Sequence, residues 1–330
     1  MVQRRATGSD VARAAGVSKS AVSRAFTGGV VSDEARKRIM EAARLLKYRP
    51  NHSARALMTN QSRLIGLAIT SLDNQFYPAM VEMLHEALAL RGLRLVLFIT
   101  HGEADLDPVL DELLGYRLDG VVLASSGHAA RVGRECIEAG VPAVMLINTD
   151  PEDRLPGVCA DNDDGAAGVA AYLLERGRRR LGLISGLAES SASVERSRAF
   201  TRAVAEFPGA QLLSACGHYT AQGAYRAAVQ LLDRPDRADA LFCVTDFMAF
   251  HALHAVRDLG LEPGRDVAVF GFDDAPIAGW GAYQLATYAT PIRAMVEATI
   301  DLLQAQMDGA PPARGTRRIK GELVLRASGG

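Results

Sequence analysis

The sequence predicts an all-α N-terminal head joined to a two-lobed α/β core built on two parallel, doubly wound sheets. Three observations predict it. The 330 residues are about twice a typical domain. Charge is unevenly divided: residues 1–63 hold 13 Lys and Arg against 4 Asp and Glu, a net of +9, and the rest of the chain carries −10, so the overall −1 hides a basic head and an acidic body. The apolar pattern changes at residue 64, from helical spacing to short apolar runs alternating with helical stretches.

The head predicts three short helices. Thr7-Gly8-Ser9-Asp10 has the pattern of an N-cap with an acid at the third position. Val11, Ala14 and Ala15 are expected on the buried face, with Gly16 as the stop. Ser18 can cap a second helix in which Val22 and Phe26 lie four apart. Ser32 can cap a third, with Ala35, Ile39, Ala42 and Leu46 as its apolar stripe. A solvated basic tail has no reason to show such helices, so the charge belongs to a folded unit. Residues 51–62 read as a linker, too short to hold a helix alone.

From residue 64 strands are expected at 64–70, 93–99, 120–124, 143–147, 157–160, 181–185, 211–215, 240–244 and 267–270. Helices are expected at 76–91, 107–116, 129–139, 164–176, 194–206, 221–232, 246–259 and 291–307. Repeated β–α units imply parallel sheets covered on both faces. So many strands exceed one doubly wound sheet, which predicts two lobes with a ligand cleft at the strand C-termini. The expected boundaries are a head at 1–50, a hinge at 51–62 and a core at 63–330, with one lobe from 63–160 and 291–318 and the other from 161–290 and 319–330.

Composition narrows the class. At 48% hydrophobic and 23% charged residues, the chain can bury cores and is not disordered. No apolar run approaches the roughly 18 residues of a membrane span, and residues 1–18 lack the apolar stretch of a secretory signal. The expectation is a cytoplasmic protein without a membrane partner. Cys136, Cys159, Cys216 and Cys243 are too dispersed for a Cys-x-x-Cys site and are expected as thiols in or near the cores.

The chemistry-bearing segment is Asp10-Val11-Ala12-Arg13-Ala14-Ala15-Gly16-Val17-Ser18, followed by Ala21-Val22-Ser23-Arg24. Two short helices joined by a turn containing Gly form a helix-turn-helix. The second helix offers Lys19, Ser20, Ser23 and Arg24, which can donate to phosphates and base edges in a major groove. The competing reading, a small bundle with a merely solvated face, leaves the turn and the +9 charge without a role.

Asp10 to Arg24, then Gly28, Val31-Ser32 and Tyr48-Arg49-Pro50-Asn51, resemble the LacI/GalR family of bacterial transcription regulators. The likeness continues through Ser53-Ala54-Arg55-Ala56-Leu57, Leu64-Ile65-Gly66-Leu67, Asp119-Gly120-Val121-Val122, Gly140-Val141-Pro142, Asp161-Asn162, Glu175-Arg176-Gly177 and Gly271-Phe272-Asp273-Asp274. It implies a periplasmic-binding-protein-like core and a homodimer that binds a double-stranded DNA operator through Thr7, Ser18, Lys19, Ser20, Ser23 and Arg24. It also implies a hinge in which Asn51 follows the head, Ala54 permits close packing, and Leu57 wedges into the minor groove. Leu57 could instead pack on the core. For a small-molecule effector, a sugar or related metabolite, the resemblance implies Phe76, Tyr77, Asn148, Arg196, Thr245, Asp246 and Asp273. Asp246 also opens a helix and could serve as a cap. Gly8, Ala21, Thr27, Gln75 and Thr245 depart from the family's usual residues.

Other signals are weaker. His251 and His254 have helical spacing but no third metal ligand, and Asp161–Gly165 lacks the later residues of a calcium loop. No phosphate-binding loop or nucleophile elbow occurs. Arg178-Arg179-Arg180 reads as a solvated turn entering a strand. A solute-binding transport protein would share the two-lobed body but not the basic head. An enzyme would need a catalytic set that the sequence does not assemble. The expected function is a DNA-binding repressor controlled by an effector, with no catalytic residue, metal or cofactor.

Overall fold

The computed structural model describes residues 6–27, 29–49, 61–99, 106–124 and 129–330. The chain divides into two units, Met1–Ser62 and Arg63–Gly330.

In the head, Thr7 opens α1 (Gly8–Ala15) with a reciprocal cap. Its hydroxyl accepts from the Asp10 N–H at 3.3 Å, and the Asp10 carboxylate accepts from the Thr7 N–H at 2.9 Å. Gly16 ends the helix at φ 64°, a left-handed geometry that costs glycine little. The Ser18 hydroxyl accepts from the Ala21 N–H at 3.1 Å and starts α2 (Lys19–Thr27). Ser32 caps α3 (Asp33–Leu45) in the same way. Val11, Ala15, Val22, Ala25, Ile39 and Ala42 are among the residues forming the core between them. Two expectations are corrected. Ala12 rather than Ala14 is buried, because both α2 and α3 pack against α1 and widen its covered face. Leu46 is 38% exposed and Ala43 is buried instead, since Leu46 lies beyond the last helical residue, where the stripe's periodicity no longer holds.

Among the described residues the core forms two six-stranded sheets. The first comprises β1 (Leu64–Ile69), β2 (Arg94–Ile99), β3 (Gly120–Leu123), β4 (Ala143–Leu146), β5 (Gly157–Ala160) and β11 (Thr316–Ile319), in the order β11-β5-β4-β3-β1-β2 and wholly parallel. The second comprises β6 (Arg180–Ser185), β7 (Gln211–Cys216), β8 (Ala240–Cys243), β9 (Ala268–Asp273), β10 (Ala286–Ala289) and β12 (Glu322–Val324), in the order β12-β10-β9-β8-β6-β7. We call the lobes built on them lobe N and lobe C. The sheet is parallel as expected except that, among the described residues, the short edge strand β12 runs antiparallel to β10. Strands β10, β11 and β12 were not anticipated from the sequence. They are three or four residues long and lie at or beside sheet edges, where pairing with a neighbour defines them more than their own apolar pattern.

The helices are α4 (Phe76–Leu90), α5 (Leu106–Gly115), α6 (Ala129–Glu138), α7 (Asn162–Glu175), α8 (Ser191–Ala205), α9 (Ala221–Leu232), α10 (Asp246–Asp258) and α11 (Ile292–Met307). Burial on both faces shows directly along β1. Ile65, Leu67 and Ile69 join an apolar cluster with Leu84 of α4 and Leu303 of α11, whereas Ala68 joins a second cluster with Leu113 of α5 and Cys136 of α6. The chain crosses between lobes three times: from β5 to α7, from β10 to α11, which packs on β4 and β5, and from β11 to β12.

Sheet order reverses between β1 and β3 and again between β6 and β8. Ligands of doubly wound sheets gather at such switch points, outside the strand C-termini. The turns after β1 and β6 are therefore the places to look.

Two further expectations change. Cys136, Cys159 and Cys243 are buried, but Cys216 is exposed at the end of the edge strand β7. The Arg178–Arg180 run is not merely solvated. Arg178 donates to the Gly264 carbonyl at 2.7 Å, Arg179 to the Leu174 carbonyl at 2.7 Å, and Arg180 to the Arg237 carbonyl at 2.9 Å. No helix among the described residues is long and apolar enough to cross a membrane.

Candidate functional site

In the head, the caps fix which face of α2 is outward. Val22 and Ala25 are buried, while Ser18, Lys19, Ser20, Ser23 and Arg24 are exposed along the opposite side. Thr7 and Ser18 are also the caps of α1 and α2, so their hydroxyls already hold backbone N–H groups. Arg36 of α3 donates to the carbonyls of Ala25 at 2.7 Å and Gly29 at 3.0 Å. A guanidinium at the C-terminal end of α2 satisfies open carbonyls and complements the helix dipole. Sequence reading counted Arg36 only as charge; its position three residues into a helix that follows a Gly-rich turn was the available signal. Asn51, Ala54 and Leu57 lie outside the described residues.

In the core, residues from both lobes meet at the strand C-termini. Arg196 of α8 is 3% exposed. Its Nε donates to Asn162 Oδ1 at 2.8 Å, its Nη1 donates to the Val244 carbonyl at 2.7 Å, and Nη1 stands 3.5 Å from Asp273 Oδ1. The guanidinium carbon sits 3.7 Å from the centre of the Phe272 ring, a cation–π contact. Asp273 ends β9 at φ 133°, a strained backbone of the kind found at ligand sites.

Asn148, just after β4 in lobe N, reaches into lobe C. Its Oδ1 accepts from the Ser190 hydroxyl at 3.3 Å, the Ser191 hydroxyl at 3.2 Å and the Ala192 N–H at 3.4 Å. Ser190 also caps α8 and lies 3.0 Å from the Tyr219 hydroxyl. Tyr77 opens lobe N's α4 beside this group. Burial raises its phenol's pKa, with Tyr219 and Asp273 adding to the rise and Arg196 opposing it. The ring of Tyr219 covers Gly186, where a Cβ would overlap it. Phe76 is buried in the lobe N core and meets Tyr77 edge-on at 5.9 Å.

Thr245 and Asp246 have internal partners. Thr245 caps α10 through the Met248 N–H at 3.4 Å. Asp246 is fully buried, and its two oxygens accept from the Ala275 N–H at 2.7 Å and the Thr287 hydroxyl at 2.6 Å. A Cβ at Gly271 would overlap this carboxylate, so glycine there makes room for it. Burial raises the pKa of both Asp246 and Asp273, and for Asp273 the Arg196 charge opposes the rise.

Asn162, Glu195 and Arg318 were not expected as site residues. Asn162 Nδ2 donates to Glu195 Oε2 at 2.8 Å. Arg318 of β11 grips both Glu195 oxygens, at 2.7 and 2.8 Å. The chain Arg318–Glu195–Asn162–Arg196 thus joins a lobe N strand to the cleft. The Asp161-Asn162 pair was visible as a motif, but residues 33 and 123 positions apart cannot be matched by spacing. Tyr219 was signalled only by its place in a turn between a strand and a helix. His251 and His254 lie 5.7 Å apart, ring to ring, and no group of three metal-capable side chains occurs among the described residues.

Comparison with known proteins gives two family models. Residues 8–51 match "Bacterial regulatory proteins, lacI family", and residues 170–329 match a periplasmic binding protein-like domain. The HTH-type transcriptional regulator CelR of Thermobifida fusca is 30% identical over 99% of both chains. A solved transcriptional regulator CelR–cellobiose complex is 28% identical, covers 98% of this chain and 100% of that one, and superposes with a TM-score of 0.73. A Lac repressor dimer bound to operator and the anti-inducer ONPF is 24% identical over 98% of this chain and 99% of that one, with a TM-score of 0.88, which speaks to the fold. These relatives are named as regulators and not as enzymes.

Proposed function

Because the chain belongs to the lacI family of bacterial DNA-binding transcriptional regulators, we propose that it is a cytoplasmic repressor whose homodimer binds a pseudo-palindromic operator and answers to a small molecule, a sugar or related metabolite, in the inter-lobe cleft. The observation that carries this reading is α2: its apolar side is fixed in the head core while Lys19, Ser20, Ser23 and Arg24 remain exposed. A helix so presented fits the major groove, and two of them related by a two-fold axis match two half-sites. Lys19 and Arg24 supply salt-dependent attraction to phosphates, and the hydroxyls and guanidinium supply base contacts.

The cleft reading places Tyr77, Asn148, Arg196 and Asp273 against the effector. An effector that favours one lobe arrangement changes operator affinity through residues 51–62, with Ala54 and Leu57 at the DNA and Asn51 at the start of the hinge. The coupling is reciprocal. The cellobiose bound to a relative supports a sugar. No cofactor or metal is required.

Selection from random duplexes with the full chain tests the proposal. A two-fold symmetric site should be enriched and bind at least about 1,000-fold more tightly than random DNA at physiological salt. Equal affinity for random DNA would refute the repressor reading.

A further inference from the structure

The charge distribution around the cleft bears on what it can hold. The turns leaving the strand C-termini at 70–75, 186–190, 217–220, 244–245 and 274–275 contain no Lys or Arg, and Asp73, Glu189 and Asp274 lie among them; the turn at 147–156 holds Arg154, which is paired with Glu138 and Glu152. Arg196 enters from the next helix and is already held by Asp273, Asn162 and the Val244 carbonyl. Cations on neighbouring elements are likewise engaged: Arg318 with Glu195, Arg198 with Asp163, Lys320 with Asp164 and Arg326 with Asp274.

Behind Arg196 stand two acids, Asp273 and Asp246, buried and within electrostatic reach of each other. Two carboxylates to one guanidinium leave no net positive charge, even when the acids share a proton. The N-terminus of α8 could otherwise attract an anion. Two of its first three N–H groups are taken: Ser190 Oγ accepts from the Ser193 N–H, and Asn148 Oδ1 accepts from the Ala192 N–H. The other side chains gathered there are neutral, namely the phenols of Tyr77 and Tyr219, the Ser190 hydroxyl and the Asn148 amide.

We infer that this cleft takes an uncharged, hydroxyl-rich molecule and rejects its phosphorylated or carboxylated derivatives; this rests on the reading of the cleft as the effector site. A phosphate monoester brings a charge of about −1.5 to −2 at neutral pH. It would arrive beside two acids, with one guanidinium to receive it and that one already shared. Burying a charge without a partner is strongly unfavourable. Hydroxyl groups can instead accept from Arg196 and donate to Asp273 without separating the pair, while the two phenol rings offer flat apolar faces to a sugar ring.

The experiment compares matched pairs on the full-length protein by thermal shift and calorimetry: glucose, fructose, trehalose and cellobiose, each against a phosphorylated form. For a pair that binds, the neutral member should raise the melting temperature, and the phosphorylated member should bind at least about a hundredfold more weakly. Equal or tighter binding of the phosphorylated member overturns the inference. In Asp273→Asn the guanidinium keeps its charge and loses an acid, so discrimination should fall at least about tenfold; unchanged discrimination would assign the rejection to shape and overturn the charge argument. If no member of any pair binds, the sugar reading of the cleft fails, and the inference falls with it.

Discussion

Arg318 and Glu195 hold the two lobes together by a two-pronged ion pair, with nitrogen–oxygen distances of 2.7 and 2.8 Å. Glu195 also receives Asn162, which receives Arg196. A contact between lobes thereby sets the position of the side chain most central to the cleft. The Glu195 carboxyl is held below the usual carboxylate range: burial alone would raise it, and the bonds from Arg318 and Asn162 outweigh that.

A double-mutant cycle on this pair, Arg318→Gln with Glu195→Gln, should give a coupling near 1 kcal/mol in unfolding, since Arg318 is 40% exposed. Either single change should also weaken the affinity for the cleft ligand, because Arg196 loses its indirect anchor. Calorimetry on the single variants checks this; unaltered ligand affinity would mean that Arg196 is held well enough by Asp273 and Val244.

Arg196→Ala leaves Asp273 buried without its cation. Breaking a buried pair from one side costs about 3–5 kcal/mol, reduced here because the acid can take up a proton. The variant should lose the effector response while retaining operator binding. Operator titration with and without effector checks the response, and urea unfolding checks the cost.

The buried acids predict how stability follows pH. Burial pushes the carboxyls of Asp246 and Asp273, which titrate as a pair, above the ordinary 3.8 of an aspartate. Above that value the folded state binds more protons than the unfolded state, so stability falls as pH rises. Their contribution is fully present below about pH 4 and is lost as the pair ionises at higher pH. Asp246→Asn should therefore show a larger deficit near pH 4 than near pH 8. Unfolding of the core at the two pH values decides the sign.

In the head, Lys19→Gln and Arg24→Gln should each reduce the slope of log affinity against log salt by about 1. Arg36→Gln should weaken operator binding and leave that slope unchanged, because its guanidinium serves Ala25 and Gly29. Thr7→Ala removes a reciprocal cap and should cost the head about 1 kcal/mol. Binding isotherms at several salt concentrations separate these roles.

Local features of the fold were readable in the sequence wherever the physics is local. Thr7 with Asp10, Ser18 and Ser32 announced their helices because a cap needs only three residues. The inner strands among β1 to β9 were found because runs buried on both faces are apolar throughout, whereas the edge strands β2 and β7 are half-exposed and were found by their alternation with helical stretches. Thr316–Ile319 was not, because its strand state comes from pairing with β5, 159 residues earlier. The cleft was readable in part. Arg196 and Asp273 followed from resemblance to a family, and the structure brings them together. Glu195 and Arg318 carry no such mark, since each looks like an ordinary surface charge until the fold places them face to face. Asp246 illustrates the opposite case, a polar residue near the cleft whose oxygens are both satisfied inside the lobe.

The outer edge of β5 is covered only by β11. During translation, Gly157–Ala160 leaves the ribosome well before Thr316–Ile319 exists. At about 5–20 residues per second the wait is roughly ten to thirty seconds. Throughout it, lobe N presents an unpaired parallel strand to other nascent chains, a surface prone to edge-to-edge association. The late crossing that knits the lobes thus leaves the first lobe with β5 as an open edge until the last strand of its sheet arrives.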